Sequence, residues 1–270
     1  MRRLLLAGIV AVILIPGLWL VAVPKDSIRN LIENSLEGSQ LQVEVKDLEK
    51  GLFYSVSSKS IILKKSDNAL VSIGNAMGKV NPFSLFLIRL TLSFRGEIGD
   101  GSLEGSMDLL RGGPQVHMTL NNSHMEGIPL FASMGLTGTG ILSGEFKSKG
   151  RLGDLKFAIR DARFEDWSFS GIPIPLAMFN SGKGVLSINE SGNIHVGSFS
   201  LEGEGIYARI KGDIRGEGLD LTMELMPDYA FQDRVGFLSK IEHYETSPGY
   251  YVLPIRGKVP WGEKDLKPVL

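Results

Sequence analysis

From residue 41 onward the chain alternates apolar and polar side chains with a period of two, and glycine punctuates the alternation. Leu41, Val43 and Val45 alternate with Gln42, Glu44 and Lys46. Ile88, Leu90, Leu92 and Phe94 alternate with Arg89, Thr91, Ser93 and Arg95. The same rhythm carries Val116, Met118 and Leu120, then Leu155, Phe157 and Ile159, then Leu219, Leu221, Met223 and Leu225. A period of two sends successive side chains to opposite faces, so each segment predicts a strand with one apolar and one wet face. Glycine fills 33 of the 270 positions, well above the usual ~7%. Asp67-Asn68, Gly99-Asp100-Gly101, Gly112-Gly113-Pro114, Glu190-Ser191-Gly192-Asn193 and Gly216-Glu217-Gly218 read as turns, giving roughly fifteen strands.

A sheet with one apolar face must hide it. It can fold into a sandwich, close as a barrel, or curve into a gutter around an apolar ligand. The predicted fold class is mainly β: a long curved antiparallel meander, gutter-like, with an N-terminal transmembrane helix and one or two short helices. Leu90, Leu92, Phe94, Val116, Met118, Leu120, Leu155, Phe157, Ile159, Leu219, Leu221 and Met223 are the candidate apolar-face residues. The pattern leaves open whether they form a dry core or a lipid groove.

Residues 4–23 carry no charge. As a helix they span roughly 30 Å, about one bilayer core. The candidate anchor residues are Leu4, Leu5, Leu6, Ile9, Val12, Ile13, Leu14, Ile15, Leu18, Trp19, Leu20 and Val23. Arg2 and Arg3 place the N-terminus in the cytoplasm by the positive-inside rule, and Trp19 suits the far interface. The rival reading is a cleaved signal peptide. Val21-Ala22-Val23 followed by Pro24 fits a cleavage site poorly. Both readings export the rest of the chain. The expected organisation is a cytoplasmic stub and anchor (1–24), a short amphipathic helix (25–38) and a β domain (39–270). Ile28, Leu31, Ile32 and Leu36 give the helix its apolar face, with Asp26 or Ser27 as its cap. That helix either plugs one end of the sheet or lies on the membrane. Residues 128–136 and 229–241 read as helical or irregular interruptions.

The charge balance, 29 basic against 30 acidic residues, argues against nucleic-acid binding. The absence of cysteine removes disulfides, thiol catalysis and cysteine-ligated metals. His117 and His195 sit between apolar neighbours and are expected on the wet face; no histidine pair has metal-motif spacing. The glycines of 74–79 and 138–144 match no nucleotide-binding loop and read as turn glycines, as Asn121-Asn122-Ser123 reads as a hairpin turn. Glu165-Asp166, Asp228 and Asp233 read as turn and surface charges. No catalytic residue, cofactor or metal is predicted. The segment 164–175 (FEDWSFSGIPIP) is a poor central strand because of its prolines. Its Phe164, Trp167 and Phe169 are the candidate partner surface.

The anchor, short helix and glycine-punctuated strands resemble the AsmA/TamB-like inner-membrane proteins. The more specific resemblance is to the type II secretion protein N (GspN) family. Residues 128–144 (IPLFASMGLTGTGILSG), 182–192 (GKGVLSINESG), 199–203 (FSLEG) and 253–260 (LPIRGKVP) carry it. The resemblance implies a single-pass bacterial inner-membrane protein with its C-terminal domain in the periplasm. It implies a non-enzymatic part in type II secretion, with other secretion proteins as partners. The broader group implies lipid handling through an apolar β groove, with phospholipid as the ligand.

Overall fold

The computed structural model describes residues 19, 23–34, 41–52, 54–81, 84, 89–110, 113–165, 167–169, 172–174, 176–216, 218–232 and 238–258. Helix α1 (Lys25–Glu33) precedes strands β1 (Leu41–Lys46), β2 (Glu49–Lys50), β3 (Ser55–Lys65), β4 (Asn68–Asn81), β5 (Leu90–Ile98), β6 (Gly101–Leu110) and β7 (Gly113–His124). A 3-10 turn (Met125–Gly127) and helix α2 (Pro129–Ser133) lead to β8 (Gly138–Lys149) and β9 (Leu152–Phe164). The small pair β10 (Trp167–Phe169) and β11 (Ile172–Ile174) follows, then a turn at Leu176–Met178. Next come β12 (Phe179–Ile188), β13 (Ile194–Gly203), β14 (Ile206–Arg215) and β15 (Gly218–Pro227). Helix α3 (Tyr229–Gln232), turns at Leu238–Lys240 and Glu242–Tyr244, and strands β16 (Glu245–Ser247) and β17 (Tyr250–Lys258) complete the described chain.

Fifteen strands form one sheet in the order β1-β3-β4-β5-β6-β7-β8-β9-β12-β13-β14-β15-β17-β16, with β2 also on β3. The pairings are antiparallel and almost all join sequence neighbours. The path is open, with β1 and β16 at its edges, so the strands form neither a closed barrel nor a sandwich of two such sheets. Strand spacing makes the sheet roughly 65 Å long. Phe164 ends β9 inside this sheet, whereas β10 and β11 form a separate two-stranded pair, and β12 pairs directly with β9.

The edge at β1 is blunted by α1, because the Val45 amide donates to Glu33 Oε1 at 3.1 Å instead of presenting a bare donor. Helix α1 starts at Lys25, with the extended Pro24 before it and no side-chain cap. Asp26 and Ser27 therefore lie inside the first turn, and the Ser27 amide donates to the Pro24 carbonyl. The predicted end at Gly38 lies outside the described residues, as do 1–18 and 20–22 of the apolar run. Among the described residues no helix is long and apolar enough to cross a membrane.

Three glycine- or asparagine-rich stretches expected as turns lie inside strands. Gly74 to Lys79 belongs to β4, Gly138 to Gly144 to β8, and Asn121 to Ser123 to β7. Asn75 (φ 47°) and Asn122 (φ 53°) sit at register shifts, so their left-handed backbone makes bulges rather than reversals. Ser123, fully buried beside the second bulge, donates to the Ile98 carbonyl at 2.6 Å. The predicted reversal at Gly99-Asp100 is present, with positive φ at both residues, the backbone demanded by a two-residue hairpin turn.

The strand glycines have a packing reason. Phe94 pairs with Gly78 on one side and Gly105 on the other. Phe157 is likewise flanked by Gly144 and Gly184, and Phe199 also lies opposite Gly184. A Cβ added at Gly105 or Gly184 would come closer than 3.0 Å to the ring of Phe94 or Phe157. Each ring therefore lies over a neighbouring backbone, a slot that only glycine leaves open. The rings of Phe157 and Phe199 meet over this floor at 5.5 Å between centroids. Gly184→Ala is expected to cost about 1–3 kcal/mol, the usual range for overpacking. In a Phe157→Ala background most of that cost should vanish, because the ring that clashes is gone. Urea unfolding of the four proteins of this cycle measures the coupling; additive costs would show that Gly184 serves some other need.

Candidate functional site on the apolar face

The register places all twelve predicted apolar-face residues on one side of the sheet. Leu92 faces Met107, which faces Val116; Phe94, Gly105, Met118, Phe146, Leu155 and Leu186 form the next row. Leu120 follows through Gly144 to Phe157, and Ile159 pairs with Leu142 and Gly182. Leu219, Leu221 and Met223 continue the face through Ile214, Gly212 and Ile210. Leu90 extends it opposite Leu109.

Coverage of this face is uneven along the strands. The segments 125–136 and 165–178, and the region 228–249, all leave and re-enter the sheet at the same end of the strands. Ile128, Leu130 and Phe131 pack there on Ile98, Leu103, Val71 and Ile73. Leu176, Leu238 and Ile241 pack there on Leu201, Ala208, Leu225, Tyr251 and Leu253. Met125 covers Ile159 and Ala162. At the opposite strand ends, Leu90, Leu92, Val116, Leu155, Leu186, Leu219 and Leu221 are only half-buried, and Leu109 is 44% exposed. The described apolar face is thus a covered core along one margin and a part-open stripe along the other.

The candidate partner surface divides differently from expectation. Phe164 is not a protruding contact: it ends β9 and its side chain packs inward against two of the buried clusters, because the same-end coverings close over it. The side chains of Trp167 and Phe169 lie outside the described residues; their backbones form β10. Of the anchor candidates only Trp19 and Val23 are described. The Trp19 indole donates to the Gly51 carbonyl at 3.2 Å, and Lys50 Nζ donates to the carbonyls of Trp19 (2.7 Å) and Val23.

The polar face carries ion-pair ladders. His117 lies 2.9 Å from Glu145, which also meets Lys147 at 2.7 Å. His195 lies 2.8 Å from Asp213, which also meets Arg215 at 3.2 Å. Arg256 pairs with Asp220, and Lys211 with the buried Glu224. A shallow hollow of about 620 Å³ opens between β3 and β7, lined by residues that include Lys79, Arg95, Glu104, His117 and Thr119. Glu165 accepts from Thr137 at 2.6 Å, and Asp228 caps α3 by accepting the Phe231 amide. Among the described residues no three histidine or acidic side chains are grouped as metal ligands would be.

Comparison with known proteins returned no matching family model, no similar curated protein and no similar solved structure. The site is therefore read from its own geometry.

The Asp213 carboxyl is held below its ordinary value, first by the His195 hydrogen bond and then by Arg215. A depressed carboxylate stabilises the fold above its unfolded-state value, and that support is lost as pH falls through the folded-state value. A carbon-13 NMR titration is expected to put the Asp213 midpoint below 3.8. His195→Ala should move it back upward. An unmoved midpoint in that variant would show that Arg215 alone holds the charge.

Proposed function

We propose that this chain is a non-enzymatic, inner-membrane-anchored periplasmic component of the type II secretion pathway, assisting export of folded proteins across the outer membrane. The proposal rests on the resemblance carried by residues 128–144, 182–192, 199–203 and 253–260. The observation that carries it is the single open sheet of fifteen strands. Such a sheet offers a long, stiff body with a charged face patterned by ion pairs and two edges where other chains can dock. A platform of this kind suits assembly work between two membranes.

The part-open apolar stripe favours a second reading, an AsmA-like lipid-binding or lipid-transfer protein supporting outer-membrane homeostasis. Soluble monomers rarely leave long contiguous apolar surface in water. Half-buried leucines recur from β5 to β15 along one margin, an arrangement that suits acyl chains laid across the strands.

Photo-crosslinking in cells separates the two. A photoreactive residue replaces Leu92 or Leu221 on the apolar face, or Thr222 on the polar face. Phospholipid adducts at both leucines and none at Thr222 would favour the lipid reading. Protein adducts to secretion components from Thr222, without lipid at the leucines, are expected for the secretion platform. Neither kind of adduct at any position would overturn both.

A further inference from the structure

We infer that the β2–β3 turn, at one corner of the sheet, is a lipid-surface contact that seats the sheet on the bilayer. The inference rests on the anchor reading of residues 4–23. Five interactions tie the end of that apolar run to the turn. The Trp19 indole donates to the Gly51 carbonyl. Lys50 Nζ donates to the Trp19 and Val23 carbonyls. The same ammonium lies 5.0 Å from the Trp19 ring centroid, a cation–π distance. The Trp19 and Tyr54 rings stand 5.4 Å apart.

Each of these groups suits a membrane–water boundary. An indole with one apolar side and one hydrogen-bonding edge is at home there, as is a tyrosine. A lysine bonded to backbone carbonyls at the end of an apolar run satisfies acceptors that hydrocarbon could not. Leu52, next to the Gly51 that holds Trp19, is 62% exposed. In water that leucine gains nothing; against acyl chains its burial is favourable. Leu31 on α1, which begins directly after Pro24, is 74% exposed as well. The exposed Lys25 at the start of α1 favours an anionic headgroup layer.

Register puts this turn at the part-open end of the strands. Ser55, the first residue of β3, pairs with Lys79, and Lys79 with Ser93. Leu92, beside Ser93, belongs to the part-open stripe. Among the described residues the covering segments lie at the opposite strand ends. The lipid contact and the part-open margin therefore share one end of the sheet.

The chain has no cysteine, so single-cysteine variants label at one site only. Leu52→Cys carries a nitroxide in the full-length protein, reconstituted in vesicles of phosphatidylethanolamine and phosphatidylglycerol. Tyr229→Cys is the control, since Tyr229 is highly exposed and lies at the other strand end. Both sites are exposed, so the label disturbs no buried packing. The expected result is that oxygen relaxes the label at 52 more strongly than a water-soluble nickel chelate does, with the order reversed at 229. If the protein floats with the vesicles and the label at 52 behaves like that at 229, the contact is overturned while the anchor stands. If the protein does not stay with the vesicles after alkaline extraction, the anchor reading falls and takes the contact with it.

Discussion

A sheet one layer thick has to satisfy its apolar face with very little material from outside itself, and that constraint shapes the rest of this molecule. Part of the answer is lateral. Phe94 and Phe157 each lie between two glycines on neighbouring strands, so the rings cover backbone as well as side chains. The arrangement trades the packing and β-propensity of a side chain at each glycine for dense ring-on-backbone contact.

The other part of the answer is a set of excursions from the meander. All return to the end from which they left, and their leucines, isoleucines and methionines close over that margin. Among the described residues the molecule thereby acquires a direction across its strands, with a dry margin at one end and a part-open one at the other. The charged face is organised on its own terms, by cross-strand pairs such as His117 with Glu145 and His195 with Asp213.

Much of this was legible in the sequence because period-two alternation is a direct projection of the two faces. Leu219, Leu221, Met223 and Leu225 read as one face and lie on one face. Glycine was legible only as punctuation. Gly184 and Phe157 are 27 positions apart, and only the register of β12 on β9 shows that one makes room for the other. The bulges at Asn75 and Asn122 resemble turns for the same reason: a left-handed residue has one local signal and two possible settings. Phe164 stands in a segment whose prolines suggest a contact surface, while its packing depends on coverings contributed from elsewhere in the chain. Lys50 gives no sequence signal at all; the carbonyls to which it donates belong to Trp19 and Val23, 31 and 27 residues away.

Pairing between sequence neighbours has a consequence for how such a chain comes into being. Each new strand docks on the one just made, so assembly can advance from the N-terminal hairpin as the chain is made, without waiting for distant partners. The body is then extensible: another hairpin inserted in the series lengthens it by about 10 Å and leaves the pairings on either side intact. Length, in such an architecture, is a property that evolution can adjust one hairpin at a time.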